Sequence, residues 1–264
     1  IHQTIHEAGA AVAPAEEELV LAVLDSALLH ADETSWPEQG HLLWLWVFRS
    51  LTVTLYYIAG RGKELVANVL DGFTGWLMTD GWMAYRDYPR RLRCWAHLIR
   101  KARGLAQSYD REARSFGHRV LSTFEALIGA VYTAREGPPP VDLFIHHAPT
   151  LALLRAACEP HQDSDHAKTR ALGVELLNDW DAIFQVVRHP ELPLTNNEAE
   201  RALRHWVILR KLSLGTRTAT GSRVFALLAS VIDTCRQRGF SPWRYLERAI
   251  ADRRVGQPLA ALPR

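Results

Sequence analysis

Cysteine is scarce in this 264-residue chain, and the three present, Cys94, Cys158 and Cys235, are odd in number and far apart. That excludes a disulfide framework and fits a reducing compartment, so a cytoplasmic location is expected. No Cys-x-x-Cys pair exists. Long apolar runs are missing as well: the longest reach six or seven residues, as in Leu19–Leu24, against the roughly 20 that span a bilayer. A soluble chain without membrane contact is expected. The sequence opens on Ile1 with neither Met nor a basic-then-apolar leader, which reads as part of a longer product rather than a secreted one. Internal repeats are absent. What remains, 48% hydrophobic and 23% charged residues, suffices for one large domain or two small ones with a proper core and excludes disordered or collagen-like classes.

Charge is nearly balanced overall, at +2, but unevenly placed. Residues 201–264 hold 13 Arg or Lys against Asp233, Glu247 and Asp252, a local +10 that leaves −8 for residues 1–200. A basic island from Arg86 to Arg103 adds seven basic residues against Asp87, with Tyr85, Tyr88 and Trp95 interleaved. Cations among aromatics suit a phosphate backbone and stacked bases; the plainer reading is a solvated Arg-rich surface, since Arg outnumbers Lys 27 to 4.

Periodicity divides the chain. Residues 1–14 show none and read as a leader, and Glu16–Leu29 as a lead-in helix. Leu28–Trp36, His41–Arg49 and Thr52–Ala59 are β-branched and aromatic, with turns marked by Pro37 and Gly40 and by Ser50, and predict an antiparallel meander. Gly62–Leu70 reads as a helix, Gly75–Thr79 as a buried strand, Trp82–Tyr88 as a short helix and Arg91–Trp95 as a further strand. Strand signals then cease for about a hundred residues. Helices are predicted over 96–108, 110–135, 141–157 and 166–188, with Gly137 and Pro138–Pro140 as a stiff break. Further helices follow at Glu198–Trp206, capped by Thr195-Asn196-Asn197, at 222–238 and at 242–253. The expected domains are a leader and lead-in helix (1–27), the first part of an α/β core (28–97), an all-α insertion (98–190) and the last core helices with a basic C-terminal region (191–264).

Two acids call for a physical reason. Asp32 lies inside the first strand, where Asp is disfavoured. Asp80 follows the buried run Gly75–Thr79 at a strand's carboxyl end, the edge at which open sheets place functional groups, although a lone Asp before Gly81 is ordinarily a turn former. If the fourth strand lies beside the first, the two become neighbours. Carboxylates about 4 Å apart repel by roughly 4 kcal/mol at an effective dielectric near 20, which a divalent cation or a shared proton must offset. Oxygen ligands favour Mg²⁺ or Mn²⁺ over zinc. A third carboxylate fits on the helix after Asn197, where Glu200 and Glu198 flank the apolar stripe Ala199, Ala202, Leu203, Trp206 and Val207 on opposite sides; helix geometry leaves both open, and a surface pair between Glu200 and Arg204 is the plain alternative. Cys94-x-x-His97 has no partner pair spaced for zinc.

The element order and the residues together resemble the insertion-sequence-66 family of bacterial transposases, within the DDE superfamily. The matching pieces are His30–Thr34, Trp44–Val47, Gly75–Tyr85, Cys94–Leu98 with Arg100-Lys101, Asn196-Asn197-x-x-Glu200-Arg201 and Arg210-Lys211, spread in the family's order over most of the chain. The segment Leu212–Thr216 departs from the family's pattern. The resemblance implies a ribonuclease H-like mixed sheet of order βββαβαβα interrupted by an all-α insertion, and a DNA transposase catalytic domain. It places the catalytic and metal-binding acids on Asp32, Asp80 and Glu200, the last chosen over Glu198 because the family's Glu directly precedes Arg. Two Mg²⁺ or Mn²⁺ ions, about 3.5–4 Å apart in such sites, would serve cleavage of transposon-end phosphodiester bonds and transfer of the 3′ end to target DNA. DNA is then the partner, in a homo-oligomer assembled on it near the nucleoid. Candidate DNA contacts are Arg61, Trp82, His97, Arg100, Lys101, Arg201, Arg204, Arg210 and Lys211, with Trp95 a second stacking candidate. The competing readings are a resolvase-type nuclease of the same fold and a catalytically silent DNA-binding module.

Overall fold

The computed structural model describes residues 2–137 and 142–263. The triple-proline break at 138–140 lies outside the described residues, as do positions 1, 141 and 264. The chain forms two compact units, one of Ile1–Arg90 with Asn197–Arg264 and the other of Arg91–Asn196.

The first unit begins with α1 (His2–Val12) and α2 (Ala15–Leu24). The expected leader is therefore a helix, and its reason is burial: Ala8, Ala11 and Val12 are sequestered, and Gly9 lies so close to Val224 that a methyl group would collide with it. Strands β1 (Leu28–Glu38), β2 (His41–Arg49) and β3 (Thr54–Ala59) form the antiparallel meander. The hairpin turn sits on Gln39-Gly40 rather than Pro37, both with positive φ (49° and 83°), the backbone a two-residue turn needs to match strand twist. After α3 (Lys63–Val69), β4 (Trp76–Thr79) runs parallel to β1, with Leu28, Leu29 and His30 opposite Trp76, Leu77 and Met78. The expected helix at Trp82–Tyr88 is only a 3₁₀ turn, Met83–Tyr85.

The second unit opens with β5 (Arg91–Arg93) and continues through α4 (Trp95–Ala106), α5 (Arg111–Glu136), α6 (Leu143–Cys158), α7 (Ala167–Asn178) and α8 (Trp180–Arg188). Trp95, Phe124 and Phe184 meet in its core, with ring centroids 4.8 and 6.3 Å from Trp95. The single helix expected over 166–188 is broken at Asp179. That carboxylate turns inward to Arg91 (2.6 Å) and to Arg93, while Arg93 also reaches Glu175 at 2.6 Å.

Helices α9 (Asn197–Ser213), α10 (Ala219–Gln237) and α11 (Pro242–Arg254) return to the first unit. α9 extends seven residues past the predicted end at Trp206. Alternation along the strands makes two faces. Trp36, Leu45, Val47 and Tyr56 pack with Ala199, Ala202, Leu203 and Trp206 of α9; Leu29, Ala31, Trp46 and Phe48 pack with Leu19, Val23 and Tyr85 on the other side. β2 is buried on both faces, which explains its near-continuous apolar run. The edge strand β3 is closed by α10: Ser230 accepts the Tyr56 N–H at 2.8 Å and Thr234 that of Thr54 at 3.1 Å, so donors that would otherwise template another strand are satisfied.

The segment Leu212–Thr216 has a structural task. Thr216 donates its N–H to the Pro37 carbonyl and accepts from Gln39, each at 3.0 Å. Gly215, at φ 86°, passes so near that a Cβ would stand 2.0 Å from the Pro37 oxygen.

Candidate active site

Asp32 follows His30 by two residues on β1, and Asp80 follows Met78 by two on the β4 side; since His30 and Met78 are opposite, the parallel register carries both acids to the same level of adjacent chains. Successive side chains alternate, so Asp32 shares the face of Trp36, the one α9 covers. Glu200 stands in the first turn of α9, after buried Ala199. Burial, then the Asp80 carboxylate, and to a lesser degree the carboxylates of Glu33 and Glu200, push the Asp32 carboxyl up to about 8, while the Glu33 N–H donated to its Oδ1 at 2.8 Å pulls the other way. Asp80 accepts the Trp82 N–H at 2.9 Å, closing the turn after β4. Its turn-forming role and its place in the acidic group coexist.

Glu198 has a different environment. It is paired with Arg49 and Arg201, each at 3.3 Å, on the opposite flank of α9 from Glu200. Its charge is already compensated.

The donor set suits a divalent cation. Carboxylates are the hard oxygen donors that Mg²⁺ or Mn²⁺ prefers, and the buried, elevated Asp32 carboxyl facing Asp80 is the group whose charge such a cation would compensate.

Glu33, overlooked at the sequence level, is equally telling. On the face opposite Asp32 its side chain is 1% exposed, accepts from Arg61 at 2.9 and 3.2 Å and from the Tyr85 hydroxyl at 3.1 Å. Burial raises its carboxyl above the ordinary range while the Arg61 hydrogen bonds pull the other way. The argument that singled out Asp32, an acid within a strand, applied to its neighbour too.

The DNA-contact candidates divide by environment. Arg61, beyond its bond to Glu33, lies 3.9 Å over the Trp44 ring and 3.7 Å over that of Trp82, so both Arg61 and Trp82 are engaged within the first unit. Arg210 turns inward, donating to Thr34 at 3.0 Å and to the Ser35 hydroxyl at 2.9 Å. Arg201, Arg204 and Lys211 are exposed along α9, and Arg204 and Lys211 fall on the flank that carries Glu200, at i+4 and i+11. In the second unit, His97 is in the first turn of α4, Arg100 is exposed and Lys101 pairs with Glu175 at 2.6 Å. Trp95 cannot stack on a base: it is 1% exposed and donates to the Ile183 carbonyl at 2.8 Å.

Two charge-based expectations are corrected. The basic island is not a continuous cationic surface, because Arg91 and Arg93 are buried against Asp179 and Glu175. The basic C-terminal region is partly neutralised by the acidic N-terminal helices: Arg254 pairs with Glu7 at 2.7 Å, Arg223 with Glu16 at 2.5 Å and Arg238 with Glu18 at 4.0 Å.

The fold thus defines a mixed α/β protein, with Asp32 on its sheet and Asp80 just past a neighbouring strand. The family described as Transposase IS66 family matches residues 1–224, and the chain belongs to it. It is also similar to y4qI, an uncharacterized protein of Sinorhizobium fredii (strain NBRC 101917 / NGR234), at 24% identity over 273 residues, 91% of this chain and 50% of that protein. A second uncharacterized protein of that strain, y4jO, is 28% identical over 170 residues, 64% of this chain and 51% of that protein. The chain spans about half the length of these curated relatives. No solved structure matches.

Proposed function

We propose that this chain carries the catalytic centre of a DNA transposase: a ribonuclease H-like core, interrupted by the all-α insertion, in which Asp32, Asp80 and Glu200 form a metal-dependent site for cutting transposon-end phosphodiester bonds and joining the 3′ end to target DNA. The observation that supports the reading is the parallel register of β1 and β4, which brings the Asp32 and Asp80 positions side by side on the sheet, with α9, the helix of Glu200, packed on the face that Asp32 shares. Membership of the IS66 transposase family supports it.

The chain's residues provide placement and charge. In this reading β1 and the turn after β4 supply two carboxylates at one level of the sheet, and α9, which packs on the face that Asp32 shares, supplies the third. A Mg²⁺ or Mn²⁺ pair held by the three acids would supply the Lewis acidity that polarises a phosphodiester and offsets their mutual repulsion. Arg204 and Lys211 on the Glu200 flank, with Arg201 beside them, give a DNA backbone cationic partners leading to the acids; His97, Arg100 and Lys101 are further candidates from the second unit. Assembly as a homo-oligomer on DNA, at the nucleoid, belongs to the same reading.

Nicking of supercoiled plasmid in Mn²⁺ tests it. Asp32→Asn, Asp80→Asn and Glu200→Gln should each abolish nicking in folded protein, and undiminished cutting by any of them would sink the assignment. Joining of a precut 3′ end separates a transposase from a resolvase-type nuclease.

A further inference from the structure

Arg61 stands in the connection between β3 and α3, yet its guanidinium touches three other parts of the fold. It donates through Nε and Nη2 to one oxygen of Glu33, the residue after Asp32. Its plane is enclosed between the indoles of Trp44 on β2 and Trp82 in the turn after Asp80, 3.9 and 3.7 Å from their centroids. The other oxygen of Glu33 is taken by Tyr85, three residues past Trp82.

The consequence concerns Asp80. Its Oδ1 is oriented by the backbone N–H of Trp82 at 2.9 Å, and the Trp82 ring is stacked against Arg61. The turn that aims Asp80 is therefore tied through Arg61 and Glu33 to the strand that carries Asp32. A planar, permanently charged guanidinium can fill a slot between two aromatic faces while bonding a carboxylate in its own plane; an ammonium cannot.

We infer that Arg61 is a positioning residue for the acidic centre: by clamping Trp82 it fixes the turn that presents the Asp80 carboxylate, and so sets the affinity of the site for a divalent cation. This rests on the metal-site reading above. Removing groups that orient metal ligands commonly costs about 10- to 100-fold in metal affinity, and Arg61 acts through Trp82, so the lower end, about tenfold, is expected.

The test is Mn²⁺ binding to the whole chain, titrated by the electron paramagnetic resonance signal of free Mn²⁺, with thermal unfolding recorded in parallel. Arg61→Ala should bind Mn²⁺ about tenfold more weakly, and Trp82→Ala should do likewise. Trp82→Phe, which keeps an aromatic face for Arg61 where Trp82→Ala does not, should stay near wild type. If Arg61→Ala fails to fold, Arg61→Lys serves instead and should show a smaller loss in the same direction. A variant that loses stability but keeps wild-type Mn²⁺ affinity overturns the inference, leaving Arg61 with a packing role. Unchanged Mn²⁺ affinity with weakened DNA binding overturns it in favour of a backbone contact. If the wild-type chain shows no saturable Mn²⁺ binding, or Asp80→Asn binds as tightly as wild type, the metal-site reading falls first and the inference with it.

Discussion

Replacing Asp32 by Asn should stabilise the metal-free protein at alkaline pH. The carboxyl is raised from an ordinary 3.8 to about 8 by burial first, then by Asp80, and less by Glu33 and Glu200. Below about pH 4 the group is protonated whether the chain is folded or not, and it costs nothing. As pH rises from there toward 8, the unfolded chain ionises while the folded one resists, so folding stability falls through that window and is lowest above it. Four units at 1.36 kcal/mol each set a ceiling of about 5–6 kcal/mol. Relaxation of the site and water access reduce this to an expected gain of about 2–4 kcal/mol for Asp32→Asn at pH 8, shrinking to little at pH 4. Asn keeps the oxygen that accepts the Glu33 N–H, so no local hydrogen bond is lost. Chemical denaturation at pH 4, 6 and 8 in chelator measures the difference. Adding Mn²⁺ should narrow the gap: a cation at 100 times its Kd adds about 2.7 kcal/mol to wild type and much less to the variant. A variant no more stable than wild type at pH 8 in chelator would refute the electrostatic argument.

Two structural predictions accompany it. Gly215→Ala must place a Cβ 2.0 Å from the Pro37 oxygen at φ 86°, so it should lose about 2–4 kcal/mol, read as a lower denaturation midpoint with faster hydrogen exchange at Gln39 and Thr216. Asp179→Ala strips Arg91 and Arg93 of a shared buried partner and should cost about 3–5 kcal/mol, with loss of amide protection across α7 and α8; wild-type protection there would contradict the buried ion pairs.

Much of the fold was legible because burial imposes period. The meander of β1 to β3, the strand before Asp80 and the capped helices α9 to α11 follow from alternation, turn residues and caps that act over a few positions. α1 escaped because its small residues gain helical order from packing on distant parts of the chain. The break at Asp179 escaped because the apolar stripe continues across it, while the arginines that draw its carboxylate inward lie more than eighty residues away.

The same division holds at the site. Local sequence alone marked Asp32 and Asp80 as unusual, through an acid in a strand and another at a strand's end, and offered Glu198 and Glu200 on the later helix, between which family resemblance chose Glu200. The proposed site depends on the parallel register of β1 and β4 and on the seating of α9 on one sheet face, which are long-range choices. Charge was the least reliable guide. Composition records how many arginines there are, but which of them meet solvent depends on where the acids lie after folding. Arg91 and Arg93 are spent on Asp179 and Glu175, Arg223 and Arg254 on the N-terminal helices, and Arg61 on Glu33 and two indoles. Residue identity thus determined the elements and the chemistry on offer. Tertiary structure decided which charges remain for a ligand, because pairing strength depends on distance and burial, and neither is a property of sequence neighbours.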